Sequence, residues 1–338
     1  MSSAITGYAD LSRAAQVARL RPAALDALRA YRLDVRRLSL LNHGYNTTYR
    51  VDTAGGERFA LRLNVNSPRT PAQIGAELAW LAALARDTPL TVPAPQVRRD
   101  GARLGHVHSG ALGRDLSATL FSWLPGRNLG RDGTPAQWVE VGRAAAHLHA
   151  HARTFSLPPG TALGSLRDPL MNLGYNLTPD EWLTPEGAQI AQEVHARVDD
   201  VLGRLYATQT PVPLHADLHG GNVRWHRGQL SVFDFDDSAL GCPVQDLAIS
   251  AYYLRPQAGL EEAMRHGYAS VAALPDLPAG DFETLVAGRA LLMLGALRAN
   301  ATADLRALLP HFVPATVIRL RAYLRSGTFR HDVPGLPS

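Results

Sequence analysis

Apolar positions recur at helical spacing over residues 22–31 (PAALDALRAY), with Pro22 suited to a first helical turn. Three alternating, β-rich runs follow at 38–41, 47–52 and 58–63. The last two are joined by Thr53-Ala54-Gly55-Gly56, which reads as a hairpin turn. Residues 71–86 (PAQIGAELAWLAALAR) predict an amphipathic helix that again opens on a proline. Pro93, Pro95 and Gly101 then punctuate two or three short strands ending with 118–123. The first third of the chain is therefore expected to form an antiparallel sheet with one long helix.

The pattern changes after Pro125-Gly126. Residues 135–152 (PAQWVEVGRAAAHLHAHA) have helical periodicity, 155–185 read as a long loop with short helical turns, and 186–207 are helical again. A short hairpin is expected over 223–235, turning at Arg227-Gly228, with helices dominating from Asp246 to about Ser326. Within that stretch the apolar run 285–297 is interrupted by Arg289 and reads as a buried helix. His147, His149 and His151 lie at spacing two on one helix, so they do not share a face and are expected to pack or face solvent rather than bind metal. The fold class expected is α+β in two lobes.

Composition sharpens this picture. The 338 residues, 46% hydrophobic and 19% charged, suffice for two packed domains. All 34 basic residues are arginine, which removes Schiff-base chemistry, the Walker A lysine and a lysine general base. The single cysteine, Cys242, excludes an intrachain disulfide framework and a multi-cysteine zinc site. The opening MSSAITGYADLSR has no signal-peptide character, and no run approaches about 20 apolar residues, so a cytoplasmic protein without a membrane partner is expected. Residues 1–126 hold 16 arginines against 9 acidic residues, and residues 127–338 hold 18 against 21. This division suits an anionic ligand in the first part and a cation in the second, although a chance distribution of surface charge explains it equally well. The arginine pairs 36–37 and 98–99 are isolated and lack interleaved aromatics, so no nucleic-acid partner is expected.

The chemistry is concentrated in residues 214–222, LHADLHGGN, and in Asp234-Phe235-Asp236-Asp237 twelve positions later. Asp217 and Asn222 have the five-residue spacing of the kinase catalytic loop, H-R-D-L-x-x-x-N, and Asp234 opens the D-F pair of the following motif. In that template the first Asp takes the acceptor hydroxyl's proton, and the Asn oxygen and the second Asp bind Mg²⁺. Mg²⁺ favours a few hard oxygen ligands completed by water and phosphate, and Asn222 with Asp234 supplies such a pair. Upstream, Phe59-Ala60-Leu61-Arg62 stands where the template has V-A-I-K, so that Arg62 replaces the lysine, and Glu77 on the next helix can pair with it.

These blocks resemble the aminoglycoside phosphotransferase-like kinases of protein-kinase-like fold. The resemblance covers most of the chain: residues 41–51 (LNHGYNTTYRV), 59–63, Glu77, 121–129 (FSWLPGRNL), the HLH of 147–149, 215–222 and 234–248 (DFDDSALGCPVQDLA). The last block is most similar to the bacterial stress-response Ser/Thr kinases, with homoserine and choline/ethanolamine kinases as related branches. The resemblance implies an N-terminal nucleotide-binding lobe over 1–120, a hinge over 121–126, and a helical lobe over 127–338 with the catalytic loop and acceptor site. It implies Asp217 as catalytic base or hydroxyl-orienting group, His215 bracing the loop, and Asp246 fixing that loop from the start of a helix. It further implies Asn222 and Asp234 on Mg²⁺ with Asp236 as a possible addition, and Arg62, positioned by Glu77, on the ATP phosphates. Asn46 and Thr47 would belong to the loop covering the phosphates, and the backbone around Ser122 and Leu124 would bind adenine.

The chain departs from the protein-kinase pattern in three ways. The loop 42–48 has only Gly44, Asp236 replaces the D-F-G glycine, and A-P-E is absent. The reading is an ATP- and Mg²⁺-dependent phosphotransferase acting on a hydroxyl of a small molecule such as an amino alcohol, amino acid or aminoglycoside. The alternatives are a Ser/Thr protein kinase, a non-catalytic nucleotide-binding scaffold, and a metallohydrolase using the alternating His215, Asp217 and His219.

Overall fold

The computed structural model describes residues 8, 11–171, 173–299 and 306–336. Most of the opening segment used in the leader argument, and residues 300–305 of the expected C-terminal helical stretch, lie outside the described residues. The chain divides into two compact units. One holds residues 1–125 with 156–162, and the other holds 126–155 with 163–338.

The first unit is a five-stranded antiparallel sheet in the order β1-β2-β3-β5-β4, with β1 Val35–His43, β2 Asn46–Thr53, β3 Arg58–Asn64, β4 Gly105–Ser109 and β5 Arg114–Ser122. Strict alternation of burial along β2 puts Tyr49 and Val51 on the face that packs with Leu61, Leu63, Leu116 and Leu120. Helix α1, Arg13–Leu28, closes that core with Leu20, Ala23, Ala24, Ala27 and Leu28. Its start differs from the sequence expectation. Ser12 caps it by accepting from the Ala15 N–H, and Pro22 lies inside it rather than in its first turn. The hydrogen bond that a mid-helix proline forfeits is offset by the apolar face α1 buries against the sheet.

Helix α2, Pro71–Asp87, and helix α3, Pro135–Ala152, open with the same four residues, Thr-Pro-Ala-Gln. In each, the Thr side chain accepts the Gln N–H and the Gln side chain accepts the Thr N–H, forming a capping box with proline in the first turn. The sequence therefore sets the start of both helices. Sheet-linked α2 carries Glu77, and α3 carries His149.

In the second unit, α4 Pro185–Thr208, α5 Pro243–Leu254, α7 Ala279–Ala299 and α8 Leu309–Ser326 share the main core, whose residues include Val194, Val198, Ala248, Leu291, Leu294 and Leu320. Helix α6 is Leu260–Ala269. Short strands flank the helices: β6 Arg127–Asn128, β7 Gly164–Ser165, β8 Val212–Leu214, β9 Val223–His226, β10 Gln229–Val232 and β11 Ala239–Gly241. The hairpin β9–β10 turns at Arg227-Gly228, both with positive φ, as the sequence predicts. No helix among the described residues is long and apolar enough to cross a membrane.

Helices α3 and α6 meet at glycines. A Cβ on Gly142 would lie 1.9 Å from the Met264 carbonyl oxygen, and one on Gly267 would lie 1.9 Å from that of Val139. Both obstacles are backbone, so the helices must separate to admit a methyl group. Gly142→Ala and Gly267→Ala are each expected to lower stability by about 1–3 kcal/mol, the usual range for overpacking. Denaturant midpoints equal to wild type in both variants would contradict this packing.

Candidate active site

The site is built on one stripe of α5. Asp246, Ser250 and Tyr253 stand at i, i+4 and i+7, so they face the same way. Each engages the loop 215–222 that follows β8. The fully buried Asp246 carboxylate accepts the N–H of His215 at 3.1 Å on Oδ2 and that of Ala216 at 2.7 Å on Oδ1. Ser250 donates its hydroxyl to the Leu218 carbonyl at 2.8 Å. The Tyr253 hydroxyl lies 3.3 Å from Asp217 Oδ1.

Ala216 adopts a left-handed backbone, φ 65°. For an L-residue with a Cβ this conformation costs about 1–2 kcal/mol, so it persists only under outside restraint. Asp246 supplies that restraint through the Ala216 N–H. A third donor, Nε2 of the buried His149, reaches Asp246 Oδ2 at 3.1 Å, and His149 Nδ1 is 3.1 Å from the Tyr268 hydroxyl. Burial pushes the Asp246 carboxyl up, but His149, the nearby His215 and the Ala216 N–H outweigh it and hold Asp246 below its ordinary range.

His215 is fully buried, and both its ring nitrogens are occupied. Nδ1 accepts the Asp217 N–H at 3.3 Å and Nε2 donates to the Phe233 carbonyl at 3.0 Å. This arrangement requires the neutral ring and leaves no nitrogen for a metal, and it ties the Asp217 N–H to the Phe233 carbonyl through one side chain. Its ring also packs on Phe235, with centroids 4.6 Å apart. The Phe233 N–H donates to the Asn222 carbonyl at 3.0 Å. The residues on either side of Asp234 are thus tied to the loop bearing Asp217 and Asn222. Asp234 itself is exposed and left-handed, φ 66° and ψ 60°, and it opens a single 3₁₀ turn over Phe235–Asp237 that contains the half-buried Asp236.

Asp217 receives four donors. Arg289 Nη2 and the Tyr253 hydroxyl meet Oδ1, while Asn222 Nδ2 at 3.0 Å and His219 Nε2 at 3.3 Å meet Oδ2. Arg289, on α7, is itself buried and donates to the Tyr253 hydroxyl from Nη2 at 2.7 Å. Burial pushes the Asp217 carboxyl up, yet Arg289, His219 and His215 together hold it below the ordinary carboxylate range. Burial likewise pushes the Tyr253 phenol up, so it stays protonated and able to donate.

The donor set fits a hard divalent cation. Asn222 Nδ2 donates both to the Asp217 carbonyl at 2.9 Å and to Asp217 Oδ2, which fixes the amide so that Oδ1 is left as a ligand atom. Asn222 and the exposed Asp234 carry oxygen atoms of the hard type that a divalent cation such as Mg²⁺ favours, and they are the residues that would hold one. Among the described residues no group of three or more His, Cys, Asp or Glu side chains is arranged to hold a metal, so the His215-Asp217-His219 alternation does not form a hydrolase-type centre.

The strand-rich unit holds the other sequence-selected residues. Arg62 on β3 and Glu77 on α2 form a buried two-pronged pair, Nη1 to Oε1 at 2.8 Å and Nη2 to Oε2 at 2.6 Å, with the guanidinium 5.1 Å from the Phe121 ring centre. Asn46 accepts from Asn64 at 2.9 Å. Thr47 is fully buried, with its hydroxyl 2.8 Å from His43 Nδ1 and its backbone in register between His43 of β1 and Leu63 of β3. Ser122 donates its N–H to the Ala94 carbonyl and accepts the Ala94 N–H on Oγ, both at 2.9 Å, so it is held by the preceding segment, and Leu124 is buried.

The sequence profile of the phosphotransferase enzyme family matches residues 37–282, which span all of these groups except Arg289. The chain belongs to that family. This phosphotransferase is 34% identical over 298 residues to an uncharacterized protein of Deinococcus radiodurans, covering 83% of each chain. Its fold is shared with a microcompartment-associated aminopropanol kinase, at TM-score 0.75 and 23% identity over 94% of this chain and 100% of that one. It is also shared with the amicoumacin kinase hAmiN, solved with AMP-PNP, Ca²⁺ and amicoumacin, at TM-score 0.72 and 18% identity over 90% and 96%. The expected α+β fold and kinase-type activity are therefore present.

Arg289, His149, Ser250 and Tyr253 of the phosphotransferase's site escaped the sequence reading. Arg289 registers there only as a break in an apolar run, although a charge in a buried helix demands a partner. His149 is the member of its histidine trio that shares a helical face with Ala145, Leu148 and Ala152. Tyr253 is signalled only by its helical spacing from Asp246.

The neutral, buried His215 gives a pH dependence. Burial lowers its pKa despite Asp246 and the Phe233 carbonyl, so between the folded value and the unfolded value of about 6.5 the unfolded chain binds more protons. The stability contributed is full above that unfolded value and is lost as pH falls towards the folded one. Wild type should lose more thermal stability between about pH 7.5 and 5.5 than His215→Asn does. Equal losses in the two proteins would contradict a neutral His215.

Proposed function

We propose that the enzyme transfers the γ-phosphoryl of ATP, with Mg²⁺, to a hydroxyl of a small molecule, with an amino alcohol as the first candidate. The observation that supports this reading is the loop 215–222, which holds Asp217 as a carboxylate, engages the Asn222 amide through its nitrogen, and bonds through the Asn222 carbonyl to Phe233, next to Asp234. The aminopropanol kinase and the amicoumacin kinase of the same fold support the acceptor class.

In this reading Asp217 orients the acceptor hydroxyl and receives its proton late. Phosphoryl transfer runs through a loose transition state, so a strongly basic group is not required. Asn222 and Asp234 hold Mg²⁺, with Asp236 as a further candidate ligand, and the ion when bound neutralises charge on the phosphates. Residues 1–120 bind the nucleotide, with Arg62 held by Glu77 for the phosphates, main-chain groups near Asn46 and Thr47 over them, and the 121–126 segment with Ser122 and Leu124 for adenine. Residues 127–338 carry catalysis and the acceptor site. His215 and Asp246 act by positioning the loop.

Release of ADP by purified protein with Mg²⁺ across a panel of amino alcohols, hydroxy amino acids and aminoglycosides tests the reading. Asp217→Ala is expected to reduce turnover at least about a thousandfold with nucleotide affinity nearly unchanged. Turnover comparable to wild type would remove Asp217 from this role. Asp234→Ala is expected to weaken Mg²⁺-dependent ATP binding by about tenfold or more, read by calorimetry. Unaltered affinity would contradict its place on the metal.

A further inference from the structure

A carboxylate offers about four lone-pair positions, and in this structure Asp217 has a donor on each. An acceptor hydroxyl that is to bond with Asp217 must therefore displace one of them. Arg289 cannot leave cheaply, since the move would strand its own buried charge and leave the half-buried Asp217 carboxylate without its cation. Tyr253 is half-buried and is tied to Arg289. Asn222 is held by the Asp217 carbonyl as well as its carboxylate. His219 differs from all three. Its side chain is 26% exposed, its bond to Asp217 Oδ2 is 3.3 Å long, and its other nitrogen, Nδ1, takes the Gly221 N–H at 2.9 Å without help from Asp217.

We propose that His219 is a placeholder for the acceptor. Its Nε2–H occupies the Asp217 position that the acceptor hydroxyl takes, and it swings aside when the acceptor arrives. While it is in place, a water molecule has no free lone pair on Asp217 to orient it, and ATP is protected from hydrolysis. This inference rests on the proposed role of Asp217. In the reaction held in check, the water oxygen bonds to the γ-phosphorus and the bridging P–O bond breaks. The electron pair leaves on ADP, and the water proton passes through Asp217 to solvent.

The test needs no knowledge of the acceptor. In His219→Asn the shorter side chain keeps an oxygen near the Nδ1 position for Gly221 and no longer reaches Asp217. With Mg²⁺ and ATP alone, His219→Asn and His219→Ala should hydrolyse ATP about tenfold or more faster than wild type, with Mg²⁺–ATP affinity within about twofold. The gain should vanish in the double variant with Asp217→Asn. No gain in either folded variant, or a gain that survives Asp217→Asn, would overturn the proposal. Independently of any variant, nitrogen-detected NMR of wild type should show His219 protonated at Nε2 with that proton slow to exchange, and a freely exchanging one would also overturn it. Failure of the parent reading gives a different result, phosphoryl transfer indifferent to Asp217→Asn in the otherwise wild-type enzyme.

Discussion

A fully buried carboxylate, Asp246, organises the catalytic loop. Removing an ion of this size from water carries an effective penalty of several kcal/mol unless every lone pair finds a partner. Asp246 is repaid by three donors, two of which are successive backbone N–H groups of the loop and the third of which is His149. The pairing works in both directions. The loop satisfies the charge, and the charge holds Ala216 in a left-handed conformation that turns the chain sharply just before Asp217. Losing either side leaves a buried anion or a relaxed turn.

From that fixed turn the remaining order follows along α5. Ser250 pins the Leu218 carbonyl, and Tyr253 reaches Asp217, while His215 ties the loop to the segment bearing Asp234. Asp217 emerges as an anion held by Arg289, Tyr253, Asn222 and His219. A carboxylate so fully solvated by the protein is a weak base. Such a group suits a reaction whose transition state is loose and whose main needs are alignment and neutralised charge. Arg289 compensates the ionised state of the half-buried Asp217.

The sequence revealed the frame of this arrangement better than its interior. The twin Thr-Pro-Ala-Gln openings and the Arg227-Gly228 turn carry their structural instructions locally, through capping and positive-φ chemistry, so α2, α3 and the β9–β10 hairpin were legible. The spacing of Asp217, Asn222 and Asp234 was legible because all three lie on one loop and the short hairpin that follows it. Arg289 lies 72 residues from Asp217 and His149 lies 97 from Asp246. Such contacts depend on how α3, α5 and α7 pack, which no local pattern encodes. The start of α1 was misplaced for a related reason. Pro22 is a good first-turn residue in isolation, but the apolar face packed on the sheet extends the helix through it.

Amide hydrogen exchange resolved to single residues is the most direct measurement of whether Asp246 holds the loop. In wild type the His215 and Ala216 amides should exchange only through opening of the helical unit, as slowly as amides in the middle of α5. In Asp246→Asn their protection should collapse while the middle of α5 stays protected. Wild-type His215 and Ala216 amides exchanging as fast as that of the exposed turn residue Gly228 would contradict the account.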